Sequence, residues 1–376
     1  MSSDGSALSR PQDAPVTFVE GALAGERVEA VVVRDAGSFR RARLARVLEP
    51  SPDRVVPPCP EHARGCGGCP WQHIEPGAQR RMKRRILTEA LARLGGITLA
   101  SEPAEVALEG WGRRTSARAG VRKARAGFRR ARSHEVLALS GCPLVHPLLE
   151  EMLCEGRFPQ AREVRLRVAE ASGDRSFETD PAWAATKARL GGLRAGEPVV
   201  EEVAGRHWRV SPQSFFQSRR DGAEALAGLV ARAVGSPWGG ARALDLYSGV
   251  GLFAGVLADA GWEVEAVEAA ESACADARAN LAGAGVEVVR ADAATYRPER
   301  FELVVADPPR AGLGRQGVEV IRSTQATKVV LVGCDAPALA RDCGLLVRAG
   351  YALESVELVD VFSHSFRVEA VAVLTR

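Results

Sequence analysis

The segment VVLVGCDAPALARD, from Val329 to Asp342, reads as an apolar strand that stops at Cys334 and passes at once into a helix. Asp335 is placed to cap that helix, with Ala336 and Pro337 in its first turn. Orphan N–H groups and the positive end of the helix dipole then lie near the sulfur. A thiolate is favoured in such a place, and the thiolate is the nucleophilic form. Cys334 is therefore a candidate nucleophile, beside the plainer reading of a small buried apolar residue. A second set of thiols stands far away: Cys59, Cys66 and Cys69 in CPEHARGCGGCPWQHI, and Cys142 in LSGCPLVHP. In a reducing compartment, thiols spaced so closely ask for a soft metal or a cluster. Zinc takes four thiolates as readily as a [4Fe–4S] cluster does, His62 or His73 could replace one of them, and spacing does not separate the two. Cys154, Cys274 and Cys343 read as ordinary core or helix cysteines.

Carboxylates supply the next group. DLYSGVGLFAG follows a strand and opens a helix, with Gly249 and Gly251 letting the backbone approach a ligand closely. Glu268 closes the next strand about twenty residues on, where a carboxylate can accept from ribose hydroxyls. A dinucleotide site is spelled almost the same way. The turn ADPPR, containing Asp307, shifts the balance: two prolines make a rigid slot for a planar base beside the cofactor. That is a mark of S-adenosylmethionine-dependent methyltransferases acting on nucleobases, although an ordinary proline turn has the same letters.

These residues need a frame. From about Gly222 short apolar strands alternate with helices: ARALDLYSG, EVEAVEA, VEVVRAD, FELVVADPP and VVLVGCD. Such alternation predicts an α/β fold with a parallel sheet between helices, whose ligands gather beyond the carboxyl ends of the strands. Asp245, Glu268, Asp292, Asp307 and Cys334 would then share one edge. The final strand, FRVEAVAVLT, reads as the hairpin partner of LESVELVDVF, with His364 and Ser365 at the turn. Reversal of direction returns its start to the same edge, so Glu369 can face Cys334.

The remainder divides by composition. Residues Met1 to about Asp13 are polar and loose, and VTFVEGALAGERVEAVVV with RRARLARVLEP alternates as a small antiparallel β domain does. The proline-rich PSPDRVVPPCP marks a boundary. A helix is predicted over about 78–95 from the stripe Met82, Ile86, Ala90 and Leu94, closed by Gly95 and Gly96. The division predicted is 1–55, 56–210 and 211–376. Hydrophobic content of 46% and charge of 26% are those of a globular chain. No apolar run of about 18 residues and no signal peptide is evident, which predicts a cytoplasmic protein without membrane contact. Net charge is only +3, but from Arg80 to Arg132 thirteen arginines, Lys83 and Lys123 face Glu89, Glu102, Glu105 and Glu109 alone. That local excess is the footprint of a polyanion partner, or a solvated face.

Taken together these pieces resemble the RNA 5-methyluridine methyltransferase family, and within it the cluster-containing branch that modifies 23S ribosomal RNA. The resemblance runs over nearly the whole chain, through the β domain, the cysteine loop, SPQSFFQSR, DLYSGVG, ADPPRAGL, GCDAPALARD and DVFSHSFRVEAV. It implies a TRAM-like N-terminal β-barrel, a central α+β domain with the cysteine cluster, and a Rossmann-like class I methyltransferase domain. It also implies S-adenosyl-L-methionine as cofactor, a [4Fe–4S] cluster on Cys59, Cys66, Cys69 and Cys142, RNA as partner, and a monomer. Gln217, Tyr247, Glu268, Asp292 and Asp307 fall where the family contacts cofactor or substrate. Cys334 falls at its nucleophile and Glu369 at its base. The chain departs from the family at Gly333 and Ala336, where serine and proline are usual, and at Arg367, where histidine is usual.

The implied chemistry suits these residue types. Uracil C5 is too weak a nucleophile to take a methyl group from a sulfonium until a thiolate has added at C6. A base must afterwards remove the C5 proton. The uridine must leave its stack for the thiol to reach it, and Phe215 or Phe216 could stack on bases while Gln217 bonds the uracil edge. Family members without the cysteine loop act on transfer RNA, which keeps a tRNA enzyme as an alternative. A catalytically impaired RNA-binding or ribosome-assembly factor uses the same surface. A nicotinamide-dependent iron–sulfur oxidoreductase uses the glycine loop but leaves Asp307, its two prolines and Glu369 idle.

Overall fold

The structure is a computed structural model that describes every residue except Ser3, Pro11, Asp13, Gly192 and Arg194. Strands β1 (Ala7–Ser9), β2 (Val16–Glu20), β3 (Arg27–Asp35) and β4 (Phe39–Glu49) form a sheet in the order β1-β2-β4-β3. β2 and β4 run parallel while the outer pairs are antiparallel, so this sheet is mixed where alternation alone predicts an antiparallel one. Helices α1 (Pro60–Ala63) and α2 (Pro76–Ala90) bracket the cysteine loop. Glu75 caps α2 by accepting from the N–H groups of Gly77 and Ala78 at 2.8 and 2.7 Å. A π-turn, Leu91–Gly95, then ends it against the left-handed Gly96. The wider turn rotates the apolar stripe: Ile86, Leu87, Ala90 and Leu91 are buried, whereas Leu94 is 53% exposed.

The chain next adds β5 (Ala104–Val106), β6 (Ser116–Arg122), β7 (Arg125–Arg129), β8 (Val136–Ala138), α3 (Pro147–Glu155), β9 (Glu163–Val168) and β10 (Arg175–Asp180). Five of these strands make an antiparallel sheet, β10-β9-β6-β7-β8, packed by α3 around Leu149, Met152, Phe158 and Phe177. A hairpin of β11 (Val199–Val203) and β12 (Arg206–Val210) buries Trp208 completely in the core of the last region.

That region alternates α4 (Arg220–Val234), β13 (Arg242–Leu246), α5 (Leu252–Asp259), β14 (Glu263–Glu268), α6 (Glu271–Asn280), β15 (Val286–Arg290), β16 (Leu303–Ala306), α7 (Gly314–Ser323), β17 (Lys328–Gly333) and α8 (Ala336–Arg348), and closes with β18 (Ala352–Val359) and β19 (Glu369–Thr375). Its eight-stranded sheet has the order β15-β14-β13-β16-β17-β19-β18-β5, parallel through β17 and antiparallel where β19 enters. The strands read as unbroken apolar runs because both faces are covered. Val329 and Leu331 point into one core with α2 and α8, while Val330 and Val332 point into the other with α4 and α5. The second residue set is thus fixed by strand period alone. α2 reaches this layer through glycine: a Cβ on Gly344 of α8 would lie 2.5 Å from the Gly95 carbonyl oxygen. No helix among the described residues is long and apolar enough to cross a membrane.

Candidate active site

Parallel strands deliver their carboxyl ends to one edge, where Tyr247, Glu268, Asp307 and Cys334 follow or end β13, β14, β16 and β17. β19 meets β17 with Lys328 opposite Thr375 and Gly333 opposite Ala370. One further step of that register sets Cys334 opposite Glu369, which also pairs with Val359 on its other side. Cys334 and Glu369 thus lie next to the last pair of that register, near enough for the Glu369 charge to act on the thiol. Gly333 packs against Leu339, which would lie 3.0 Å from an added Cβ, so the departure at this position is filled by a neighbour.

The electrostatics of the pair differ from the sequence expectation. Burial, then the negative charges of Glu369 and Asp307, push the Cys334 thiol up to about 11, against the pull of Arg310. Glu369 is only 3% exposed, and burial together with Asp307 raises it well above the usual carboxylate range. Asp307 itself is raised to about 7 by burial, opposed by a hydrogen bond from Gln217 Nε2 at 3.2 Å. A favoured thiolate is thus not the resting state. Asp335 caps α8 as its position in the sequence suggests, accepting from the Ala338 N–H at 3.0 Å.

Beside the pair lies a glycine cradle. Gly249 and Gly251 have φ of +55° and +96°, and a Cβ on Gly251 would meet Leu281 at 2.6 Å. Glu268 accepts from the N–H groups of Gly249 and Ala270 at 3.0 and 2.7 Å, tying the cradle to the end of β14. Asp245 lies within β13, fully buried below the cradle, where burial raises its pKa well above the usual range. The buried Ser248 hydroxyl meets no hydrogen-bond partner among the described residues, and Asp245 has only a loose contact from the Ala254 N–H. Tyr247 has φ of +63°. Asp292 is exposed, turns its own loop by accepting from the Ala294 N–H at 2.9 Å, and adds to the burial that raises Tyr247. Polar atoms left short of partners under a cradle that only glycine fits are suited to a polar nucleoside ligand.

Two loops complete the site through residues that carry no motif. Asp276 on α6 is fully buried and accepts from the Ser211 N–H at 2.8 Å and from the hydroxyls of Ser211 and Ser214 at 2.9 and 2.7 Å. One helical turn later, Asn280 donates to the carbonyls of Arg209 and Val250, both at 3.0 Å. One face of α6 therefore clasps the 209–217 loop to the glycine cradle. That loop presents Phe215, 67% exposed, and buries Phe216. Two polar residues four apart in an alanine-rich helix were the available signal. The second loop, 360–366, is gripped from α2. Lys83 Nζ donates to Asp360 at 2.6 Å and to the Phe362 carbonyl at 2.8 Å, while Gln79 accepts from the His364 N–H at 2.9 Å. Trp71, two residues past Cys69, donates its N–H to the His364 carbonyl at 2.9 Å, and Trp111 stacks on the His364 ring at 3.8 Å.

Cys59, Cys66, Cys69 and Cys142 line a single cavity of about 230 Å³, together with Gln72, Trp111 and Arg114. All four are free, and burial pushes Cys69 and Cys142 up to about 12. His62 and His73 are not among the residues lining it. Among the described residues, no group of three His, Cys, Asp or Glu side chains is close enough to hold one metal ion. The basic band also changes on folding, since acids from elsewhere reach it: Asp53 pairs with Arg81, Glu163 with Arg118, Glu170 with Arg113, and Glu20 with Arg132.

A doubly wound sheet closed by an antiparallel hairpin, with a glycine cradle beside a thiol–carboxylate pair, defines a Rossmann-like methyltransferase layer. No protein-family model matches the chain. It is 35% identical, over 98% of its length and 90% of the relative's, to an uncharacterized RNA methyltransferase of Streptomyces coelicolor. It is 34% identical, over 99% and 87%, to the 23S rRNA (uracil(1939)-C(5))-methyltransferase of Halomonas elongata. Its fold matches the Pyrococcus abyssi tRNA (uracil-54, C5)-methyltransferase, solved with S-adenosyl-L-homocysteine, at a TM-score of 0.75 and 22% identity over 99% and 98% of the two chains. The chain belongs to the RNA uracil-C5 methyltransferase family and is an enzyme of that family.

Proposed function

We propose that this chain methylates C5 of a uridine in RNA, with 23S ribosomal RNA as substrate, through a transient bond between Cys334 Sγ and uracil C6. The observation that carries this reading is the β17–β19 register, which puts Glu369 across from Cys334. S-adenosyl-L-methionine, when bound, would supply an electrophilic methyl group, and Gly249, Gly251, Glu268, Asp292 and Tyr247 are the residues that would hold it. The Cys334 thiol passes its proton to the neighbouring Asp307 carboxylate and the thiolate adds to C6, so that the electron pair of the C5=C6 bond moves into the ring and makes C5 nucleophilic. The elevated carboxylates beside the thiol narrow the gap in acidity over which that proton moves. Gln217, held by Asp307, faces the uracil edge, and the exposed Phe215 is the residue available for stacking. After methyl transfer Glu369 takes the C5 proton, the double bond re-forms, and the Cys334 sulfur leaves with the electron pair that bound it to C6. The nearly complete burial of Glu369 keeps water from that carboxylate.

Cys59, Cys66, Cys69 and Cys142 are the residues that would hold a [4Fe–4S] cluster. Four free thiols lining one void support this, and the preference for a cluster over zinc rests on the resemblance to the cluster-containing branch of the family. The same four thiols, with the Halomonas relative, favour ribosomal over transfer RNA. For this purpose the chain works as three parts, 1–55, 56–210 and 211–376, with α2 and β5 of the middle part leaning on the catalytic sheet. The test is to mix the protein with S-adenosylmethionine and 5-fluorouridine-substituted 23S rRNA or tRNA. A gel-stable adduct on 23S rRNA that requires Cys334 is expected. An adduct confined to tRNA would overturn the substrate, and no adduct with either would overturn the mechanism.

A further inference from the structure

A second cavity, of about 110 Å³, opens between the cysteine loop and the catalytic edge, with Arg113, Arg114, Arg219, Arg310 and Arg367 in its wall. Two of these five are neutralised. Arg113 pairs with Glu170 at 2.9 Å, and Arg219 pairs with Asp221 at 2.6 Å while donating to Ser363 and the Glu109 carbonyl. Arg114, Arg310 and Arg367 have no carboxylate within ion-pair distance among the described residues. Arg114 is anchored at one end only, its Nε donating to the Ser116 carbonyl at 2.8 Å, which leaves the terminal nitrogens for another acceptor. Burial and then the charge of Arg310 lower the pKa of Arg367, against the pull of Cys334 and Asp335. Three guanidinium groups gathered against mutual repulsion are stabilised when an anion lies among them.

The cavity's position says which anion. Arg310 directly follows the Asp307-Pro308-Pro309 turn, and Arg367 stands two residues before Glu369. Whatever occupies this cavity therefore adjoins the place of the uracil ring, and the anion covalently tied to a nucleobase is its own backbone phosphate. Ser363, Ser365, Gly68 and Gly110 complete the wall, the serine hydroxyls donating to the carbonyls of Asp360 and Phe362, so the arginines are the donors open to an anion. We infer that this cavity is a phosphodiester site, in which Arg114, Arg310 and Arg367 seat the backbone of the strand that delivers the target uridine. The inference rests on the RNA-methylating reading above and assigns Arg367 the task of holding the strand next to the catalytic glutamate.

Binding can be read without methyl transfer, by fluorescence anisotropy of a short labelled oligouridylate over a salt series. Replacing a phosphate-contacting cation removes one counterion-releasing contact, so Arg310→Gln and Arg367→Gln should each weaken binding about threefold to tenfold at low salt and flatten the salt slope by about 0.7. Arg367→Lys should keep the slope and lose part of the affinity, since the charge stays and the planar fork goes. Arg113→Gln, on the same wall but neutralised, should leave the slope unchanged. Unaltered slopes for both Arg310→Gln and Arg367→Gln would overturn the site, as would an equal loss in Arg113→Gln. A full slope loss in Arg367→Lys would remove Arg367 from it. If slopes change while the wild-type chain methylates no RNA, the functional reading fails and the phosphate site stands. If the wild-type chain methylates RNA and the slopes stay unaltered, the phosphate site fails and the functional reading stands.

Discussion

Cys334 stands at the tip of a strand, whereas Cys59, Cys66, Cys69 and Cys142 stand in loops, and the two thiol sites are held by different forces. The β17–β19 pairing, whose last pair sets Gly333 opposite Ala370, brings Cys334 beside Glu369, and a slip of one residue would turn every neighbouring side chain to the other face. The four other thiols converge only because separate segments fold over one another: the bridge of Cys66 to Arg130, the Gly67 N–H on the Arg129 carbonyl, and the Trp71 contact with His364. Burial raises the thiols of both sites. At Cys334, however, carboxylates add to the effect, while around Cys69 and Cys142 the added charges are those of the other cysteines. The first arrangement serves a proton that must move. On the proposed reading, the second would serve thiols whose protons leave when a metal binds.

Experiments can break this contrast at several points. Cys334→Ala should abolish methyl transfer altogether, read as incorporation of labelled methyl into RNA, while the protein stays folded; measurable turnover would remove the covalent step. Glu369→Gln should lower turnover by about 10²–10⁴-fold and, unlike Cys334→Ala, trap a covalent RNA adduct on a denaturing gel. Asp276→Ala frees the 209–217 loop from α6 and should reduce kcat/KM by about 10²-fold. Its Cys334 alkylation rate should remain that of the wild type, which separates loop placement from damage to the strand tip. Cys142→Ser should act in the reverse sense, lowering the melting temperature with little change in that alkylation rate.

The smallest effect sharpens the electrostatic side. With its thiol pushed up to about 11, Cys334 is protonated at neutral pH, and the thiolate fraction grows as pH rises. Alkylation should therefore climb about tenfold per pH unit from neutrality and level off only near that value. Glu369→Gln removes a neighbouring negative charge, so the curve should shift to lower pH. A plateau already reached at neutral pH would mean that the helix end outweighs the carboxylates.

Much of the site is legible in local letters. Gly249 and Gly251 have the positive φ that a close backbone approach requires, whereas the contact of Gln217 with Asp307 is not among the expectations. Between Phe215 and Phe216 the letters do not choose, because exposure depends on what the loop packs against. They also give the wrong direction for the Cys334 shift, since a cap and a dipole are visible in sequence while buried carboxylates on other strands are not. Gln79, Lys83 and Asp276 carry no motif at all, yet they grip the two loops that border the reaction.

By itself the sequence determined the strand and helix alternation, the turns that only glycine or proline permits, and the order of reactive residues along one sheet edge. Those features depend on the backbone period and on covalent neighbours, which act over a few residues. Tertiary structure alone decided which arginines are neutralised by acids from distant segments, which protonation state Cys334 rests in, and that four loop cysteines share one void. Such properties follow from charges and desolvation acting through space, between groups whose distance in the chain says nothing about their distance in the fold.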